Sequence, residues 1–318
     1  MKVLFKGLAW VLVELLVFAA LFVASGALIV TGIQWISGNE YLFWTSADLN
    51  EQTSPYTLLT STFIPVLLSG TLAAGIAHHS IFKRPLSGLG FGYERSFFYF
   101  GQGWLWSFAL VLPGFLILWF LGQIHLLPAD WNGYYFAGFI LFFIIQSAGE
   151  EVMTRAYLIP MIEARFNTLA ALVVSASIFA LMHLGNEHFT WIGFLNILAG
   201  GTLMALFFIR YRNIWVCTGL HAGWNFVQAS LLDFNVSGID VYSFIQFQDT
   251  GYPGLSGGDF GYEGSWIAWL IQVAGIYLFY RWNRAELSVR FNRQPAPLTE
   301  TTDAAKLWMP MQEENPGE

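Results

Sequence analysis

Three charged residues interrupt one of the most apolar stretches of this sequence: Glu150, Glu151 and Arg155. Because Glu151 and Arg155 are four residues apart, their side chains meet on one face of a helix and can form a neutralising pair. Glu150 projects about 100° away from Glu151. Glu150 is therefore free to face a polar cavity, where a carboxylate can take a proton from water.

Two further apolar segments carry polar side chains at helical spacing. Phe179 precedes His183 by four residues, and His221 precedes Asn225 by the same interval. His221 and Asn225 project from one helical face and could hold one ion or one oxyanion together. We expect both histidines and Asn225 to converge on Glu150. His183 lies near the outer end of its segment whereas Glu150 lies mid-span, so convergence requires helix tilt, a longer fifth helix or different segment boundaries around 184–191.

Other polar residues give weaker signals. The single Cys217 can form no internal disulfide and is typical of a small buried residue. Ser147 has no histidine near it in sequence and no Gly-x-Ser-x-Gly turn occurs, so a serine nucleophile is not expected. Glu14 lies in the first apolar segment, and the sequence offers it no partner. Structural or interfacial roles are expected for four histidines at segment ends or in loops: His78, His79, His125 and His188.

The elements that must position these residues are membrane helices. Hydrophobic residues make up 56% of the 318 residues and charged residues only 11%, against about 25% charged in a typical soluble domain. The apolar residues come in runs of about 20, the length of a transmembrane helix. The sequence predicts an all-α, polytopic transmembrane helical bundle of about eight spans, near 8–33, 57–82, 98–122, 134–164, 168–184, 191–209, 214–232 and 264–281.

The basic residues agree with this span count. If every segment crosses the membrane, every Lys and Arg except Arg155 falls on one side, which is then cytoplasmic together with both termini. The net charge of -7 and the lack of a dense Lys/Arg cluster exclude a nucleic-acid surface. We expect a multi-pass integral membrane protein with the lipid bilayer as a partner, in the plasma membrane if the cell is bacterial. The opposite loops carry only acidic charges: Glu40, Asp48, Glu51, Asp130, Glu187, Asp233, Asp240, Asp249, Asp259 and Glu263.

The chain divides into five regions. The external loop is rich in Gly and aromatic residues, which favours packing at the membrane interface, with a lid or substrate-docking role as the alternative. The polar end of the chain is typical of a disordered cytoplasmic tail. The regions are N-terminal membrane helices at 1–133, a core with the candidate site at 134–232, the external loop at 233–263, a last span with a basic stop at 264–293, and the tail at 294–318.

The three spacings together resemble the CPBP family of intramembrane proteases, which includes the type II CAAX prenyl endopeptidases and bacterial relatives once grouped as abortive-infection proteins. The motifs are Glu-Glu-x-x-x-Arg beginning at Glu150, Phe-x-x-x-His ending at His183, and His-x-x-x-Asn beginning at His221. They occur in the family's order on three separate segments. The resemblance covers about residues 134–232, which it identifies as a CPBP-like catalytic core.

This resemblance implies an endopeptidase that cleaves membrane-anchored protein or peptide substrates, without implying that they are prenylated. Glu151 and Arg155 are expected to support the site structurally. Two mechanisms stay open. Either Glu150 and His183 activate a water while His221 and Asn225 stabilise the oxyanion, or a divalent metal, zinc, activates the water. The implied metal ligands are the same four catalytic side chains: Glu150, His183, His221 and Asn225.

Two other classes of function compete with proteolysis. A non-catalytic membrane scaffold or immunity protein could retain the protease fold. A transporter or ion pathway could also use buried charges. The transporter would show gradient-dependent activity and would tolerate the loss of Asn225.

Overall fold

The computed structural model describes residues 2–37, 54–128 and 131–292. The predictions for Glu40, Asp48, Glu51, Asp130 and the tail at 294–318 lie outside the described residues. Within the described part of the chain, eight long helices occupy the eight predicted segments, and a short helix follows them. The all-α membrane bundle predicted from hydropathy is therefore confirmed.

The helices, numbered along the chain, are mostly single α-helices, and three of them contain π-helical turns. Helix α2 covers 55–81, with π-helical turns at Leu59–Phe63 and Ile76–Ile81. Helix α4 (Gly133–Glu163) contains a π-helical turn at Val152–Tyr157, and α7 (214–231) ends in one at Phe226–Leu231. The others are α1 (Lys2–Ser37), α3 (Ser96–Phe120), α5 (Thr168–Met182), α6 (Trp191–Tyr211), α8 (Trp266–Trp282) and α9 (Arg284–Phe291).

Short polar side chains begin the helices that carry the candidate site. Asn132, Asn167 and Asn213 each precede a helix and accept a hydrogen bond from a backbone N–H of its first turn, at 3.0, 2.8 and 2.9 Å. Thr190 caps α6 in the same way, from Gly193 N at 3.0 Å. These caps satisfy N–H groups that have no partner within the helix, and they fix where α4 to α7 start.

The outer surface of the bundle is apolar, as a protein dissolved in lipid requires. Large side chains such as Phe97, Trp35 and Leu28 are 96, 86 and 75% exposed. Five helical stretches in the described residues are long and apolar enough to cross a membrane: Phe5–Trp35, Ile64–Ile81, Ser96–Phe120, Gly133–Glu163 and Trp191–Tyr211. Since α5 is shorter and α7 and α8 fall outside this group, the count of eight crossings stays a prediction.

Contacts between loops agree with the predicted sidedness. Strands β1 (Ile124–Leu127) and β2 (Gln246–Asp249) pair antiparallel, so the loop after α3 and the loop after α7 lie on the same side. At the other end of the bundle, Arg212 forms an ion pair with Glu163 at 2.6 Å. That contact joins the turn after α6 to the turn after α4, both of which are predicted to be cytoplasmic.

Glycines bring α3 and α7 into close contact and so fix the position of α7. A Cβ atom at Gly103 of α3 would lie 2.1 Å from the backbone oxygen of Val216, and one at Gly219 of α7 would lie 2.1 Å from that of Phe100. Small residues allow such backbone contact between membrane helices. The close packing leaves little freedom for α7, which carries His221.

The external loop is packed into the protein more than its composition suggested. Phe260 and Tyr262 are 1 and 0% exposed, and the Tyr262 hydroxyl donates to the Leu110 oxygen at 3.2 Å. Tyr252 alone among the loop aromatics is mostly exposed, at 69%. The interface-packing prediction is thus wrong for Phe260 and Tyr262, because the protein core provides the burial that we expected from the membrane interface.

The structure supplies the partners that the sequence did not offer to Glu14. Both carboxylate oxygens of Glu14 accept hydrogen bonds from Arg84 at 2.7 Å, and Arg165 also contacts this carboxylate. Glu14 is fully buried, whereas Arg84 and Arg165 are 12 and 10% exposed. We call Glu14, Arg84 and Arg165 the cytoplasmic cluster, after the side of the membrane that the sequence predicts for this end of the bundle. It fastens α1, which is otherwise largely exposed, to the turns after α2 and α4.

Candidate active site

The two adjacent glutamates occupy different environments. Glu150 and Glu151 end the α-helical part of α4, directly before the π-helical turn at Val152–Tyr157. Such wide turns within α-helices are frequent at functional sites. Glu151 is fully buried, whereas the Glu150 side chain is 19% exposed and lines a cavity. The divergence expected from helix geometry is therefore present.

Glu151 is held by a cation and in turn orients a histidine. Arg155 Nη1 lies 2.9 Å from Glu151 Oε1, and Arg155 Nη2 donates to the Gly201 oxygen at 3.1 Å. The guanidinium carbon of Arg155 lies 4.3 Å from the centre of the Phe179 ring. His221 Nδ1 is 2.9 Å from the same Glu151 Oε1. Because a carboxylate paired with Arg only accepts hydrogen bonds, His221 carries its proton on Nδ1.

The second histidine is oriented by the backbone. His183 caps the end of α5, and its Nδ1 lies 2.8 Å from the oxygen of Phe179. A carbonyl oxygen only accepts, so Nδ1 donates and Nε2 of the neutral ring presents a lone pair. The Nε2 atoms of His183 and His221 each lie 3.9 Å from Glu150 Oε2. Glu150 Oε2 on α4 therefore faces two further proton acceptors, the Nε2 atoms of His183 and His221.

The relative lengths of α4 and α5 explain how His183 reaches Glu150. A longer fifth helix does not occur, because α5 ends at Met182. Counted from the turn that joins the two helices, the residues have similar depths. Glu150 lies 13 residues before the end of α4 at Glu163, and His183 lies 15 residues after the start of α5 at Thr168. The outer end of α5 therefore lies within the bundle.

Gln146, which the sequence reasoning missed, connects Asn225 to Glu150. Its Nε2 donates to Glu150 Oε1, and its Oε1 accepts from Asn225 Nδ2 at 2.9 Å. Asn225 and His221 both line the cavity, as their spacing predicted, but one Asn225 N–H is engaged by Gln146. The sequence could have indicated Gln146 by its position, since it lies one turn before Glu150 in an apolar helix and therefore on the same helical face.

These side chains line a cavity of about 250 Å³ inside the bundle. The cavity walls are mostly apolar, and the formal charges of its described lining residues belong to two glutamates, with no Lys or Arg among them. It is large enough for part of a peptide and poor in charge outside the site. Its apolar walls include Phe142, Phe143, Phe179, Met182 and Met204.

The donor types suit a metal, but their spacing does not. In the described part of the chain, no group of three or more His, Cys, Asp or Glu side chains is arranged to hold a metal ion. The 3.9 Å distances from Glu150 Oε2 to both histidines exceed the separation of about 3.3 Å between donors in a tetrahedral zinc site. A zinc ion would require these side chains to move closer, so zinc stays a prediction.

The remaining candidates lie outside the site or have structural contacts. His78 and His79 contact backbone oxygens of Pro85 and Arg84, each at 3.2 Å. His125 lies in β1, and His188 lies in the turn before α6. Cys217 is fully buried. Ser147 donates to Gln146 Oε1 at 3.2 Å, and its contacts include no histidine among the described residues.

The comparisons with known proteins agree with the motifs. The family model described as type II CAAX prenyl endopeptidase Rce1-like matches residues 132–227. No curated protein and no solved structure matches the chain. The matched region begins at the cap of α4, ends within α7 and contains every candidate catalytic residue. It follows that this chain is an integral membrane protein whose residues 132–227 belong to the CPBP family of CAAX-type intramembrane proteases.

Proposed function

We propose that the protein is an intramembrane endopeptidase in which Glu150 activates a water molecule. One observation carries this proposal: Glu150 Oε2 is buried without a hydrogen-bond partner among the described residues and faces both histidine Nε2 atoms at 3.9 Å. A water molecule placed among these three acceptors would donate its two protons to two of them, Glu150 and His183, which makes its oxygen a better nucleophile. His183 supports this step because its Nε2 is free to accept.

The reaction follows from these protonation states. The water oxygen attacks the carbonyl carbon of the scissile peptide bond while Glu150 takes one of its protons. A C–O bond forms, and the carbonyl oxygen becomes an oxyanion. The C–N bond then breaks as Glu150 returns the proton to the leaving nitrogen.

Asn225 and His221 would stabilise the oxyanion in different ways. Asn225 has a second N–H beside the one that Gln146 engages, and that group is available to the oxyanion. His221 becomes a donor at Nε2 only when its ring is doubly protonated. Glu151 at Nδ1 would stabilise that positive charge, which gives the Glu151–Arg155 pair a catalytic consequence besides its structural one.

The surroundings of the site favour membrane-borne substrates. A mostly apolar cavity within a helical bundle suits a protein or peptide segment that reaches it from the bilayer. The substrate class is therefore a membrane-anchored protein or peptide. In a bacterial cell the protein would reside in the plasma membrane.

The decisive experiment compares new protein N-termini in membranes that contain the wild-type chain or the Glu150→Gln variant. Glu94→Gln is the matched control, since Glu94 is exposed outside the site. We expect termini that appear with wild type and Glu94→Gln and are lost with Glu150→Gln. Identical termini in all three samples, with a deletion phenotype that Glu150→Gln rescues, would instead support a non-catalytic scaffold.

Zinc is tested on the same purified protein once a substrate is known. Loss of cleavage after chelation, with recovery on adding zinc, would support a zinc site at Glu150, His183, His221 and Asn225. Unchanged cleavage by protein shown to contain no metal would support activation by Glu150 and His183 alone.

A further inference from the structure

A second polar group lines the same cavity, beside the candidate catalytic residues. Glu263, at the end of the external loop, is only 6% exposed, and its carboxylate faces α7. Trp224 Nε1 and Gln228 Nε2 donate to its Oε1 at 2.9 and 3.1 Å. The backbone N–H and the hydroxyl of Ser237 donate to its Oε2 at 3.0 and 2.7 Å. All four donors are neutral.

The charge of Glu263 is therefore solvated without being neutralised. No Lys or Arg lies within ion-pair distance of Glu263 in the part of the chain that the structure describes. The same holds for the cavity lining, whose formal charges are those of Glu150 and Glu263. In a space of low dielectric, two uncompensated carboxylates favour a cation over a neutral or anionic group.

A chain of hydrogen bonds fixes one more acceptor in a residue of the cavity lining. Asn196 Nδ2 donates to the backbone oxygens of Glu263 and Ser265 at 2.6 and 2.9 Å, so Asn196 Oδ1 must be an acceptor. Gln272 Nε2 donates to that Oδ1 at 3.1 Å, which fixes the orientation of the Gln272 amide. Its Oε1 is consequently the end that has no partner among the described residues.

The free acceptor of Gln272 is buried at the cavity wall, beside Gly200. Gln272 is 2% exposed and lines the cavity, and a Cβ atom at Gly200 would lie 3.1 Å from its Oε1. If Glu263 only connected the external loop to α7, that structural role would account for its four hydrogen bonds. It would not account for the buried Oε1 of Gln272, a residue of the cavity lining, which two successive hydrogen bonds leave as the unpaired end of its amide, since such an acceptor is costly to leave unpaired.

The geometry of α7 sets the distance between this group and the catalytic residues. His221 and Asn225 form one stripe of the helix, and Trp224 and Gln228 form the adjacent stripe, since both pairs are four residues apart. Seven residues separate His221 from Gln228, a rise of about 10 Å. An extended peptide advances about 3.3 to 3.6 Å per residue. A substrate residue close to the scissile bond can therefore reach from the catalytic residues to Glu263 with a long side chain.

We propose that Glu263 and Gln272 form a specificity subsite that binds the cationic side chain of a substrate lysine or arginine near the scissile bond. This inference rests on the proposed endopeptidase function and names a substrate feature for it. The ammonium or guanidinium group would donate to Gln272 Oε1 and neutralise Glu263. Apolar segments of the substrate would occupy the remainder of the cavity.

The test measures binding, so that it does not depend on cleavage. The protein is prepared in lipid nanodiscs as the Glu150→Gln variant, and the probes are apolar peptides with a single lysine moved through successive positions. Each lysine peptide is paired with the same peptide containing norleucine, which keeps the carbon chain and lacks the charge. At one position we expect the lysine peptide to bind about tenfold more tightly, and we expect Glu263→Gln to remove the difference.

Gln272→Met keeps the experiment informative if Glu263→Gln folds poorly, because it removes the free acceptor and leaves the Glu263 contacts in place. We expect it to reduce the lysine preference. Gln102→Met is the matched control, since Gln102 also has a buried, unpartnered Oε1 but does not line the cavity. Equal binding of both peptides at every position, or a preference that persists in both subsite variants, would overturn the proposal. Cleavage of the same peptides by protein with Glu150 intact reports separately on the endopeptidase function.

Discussion

The cytoplasmic cluster and the candidate active site both combine carboxylates with arginines, and they differ in how their charges balance. In the cytoplasmic cluster, the single Glu14 carboxylate lies between Arg84 and Arg165. In the candidate active site, Arg155 is the one Lys or Arg that contacts either of the described carboxylates Glu150 and Glu151, and of these two it contacts Glu151. One group has an excess of positive charge, and the other has an excess of negative charge.

The difference separates structure from chemistry. A buried charge that is surrounded by opposite charges holds helices together and has little left to offer a ligand. A buried carboxylate that no Lys or Arg contacts is retained at a cost, which indicates a functional site. By this criterion Glu14 and Glu151 are structural, and Glu150 is the candidate for the reactive group. Variants of either group can test this difference.

Glu150→Gln should have the largest effect on turnover. The amide keeps the shape of the side chain but cannot accept a proton, so we expect cleavage to fall by about 10²- to 10⁴-fold. The free energy of unfolding should change little, because no described residue forms an ion pair with Glu150 closer than 3.9 Å. Single-turnover cleavage and thermal unfolding in detergent, measured side by side, test both statements. Cleavage at the wild-type rate would remove Glu150 from the role of base.

In contrast to Glu150→Gln, Arg155→Ala should mainly reduce the stability of the fold. It leaves Glu151 buried without its cation, which costs about 3 to 5 kcal/mol of stability. Thermal unfolding in detergent and the yield of folded protein measure this loss.

A double variant separates the structural role of the Glu151–Arg155 pair from its effect on His221. With Glu151→Leu and Arg155→Leu together, we expect much of the stability to return, because no unpaired charge is left buried. Cleavage should remain impaired, since His221 Nδ1 has lost the oxygen that orients its ring. Full recovery of cleavage would mean that the pair serves folding alone.

The sequence was sufficient for the parts of the site that depend on spacing along one helix. The interval from Glu151 to Arg155 and that from His221 to Asn225 are local rules, and hydropathy located the helices that carry them. No such rule connects Glu14 to Arg84 and Arg165, which belong to separate parts of the chain. Those contacts depend on how α1 packs against the other helices, and the residue spacing within a single segment does not determine that packing.

Two other features also lay beyond sequence reasoning. Gln146 belongs to none of the three motifs, and its role becomes visible only when α7 brings Asn225 to within 2.9 Å of it. Glu263 looked like one more acidic residue of an outer loop, because nothing in the sequence indicates that the loop folds inward. The depth of His183 was misjudged for a related reason: segment ends give depth only when neighbouring helices have equal lengths.

Gln146→Leu should have a smaller effect than Glu150→Gln. It removes the group that orients Glu150 and engages Asn225, and the loss of such a supporting contact typically costs about 10- to 100-fold in activity. We expect kcat to fall and KM to change little, because Gln146 orients the base. Gln102→Leu, at a glutamine that does not line the cavity, is the control. An equal loss of kcat in both variants would indicate a general packing defect.

Glu14→Gln should give the smallest effect on cleavage and a moderate effect on stability. It leaves two arginines without their shared carboxylate, but these are 12 and 10% exposed and can turn toward water and lipid headgroups. We therefore expect a loss of about 1 to 3 kcal/mol, less than for Arg155→Ala, with kcat unchanged in the protein that remains folded. Thermal unfolding at low and high salt measures the first part, and cleavage per folded molecule measures the second. A fall in kcat as large as that of Gln146→Leu would mean that the cytoplasmic cluster positions the active site, because α1 would then control the packing of α4 through Tyr157, whose hydroxyl donates to the Glu14 backbone oxygen at 3.2 Å.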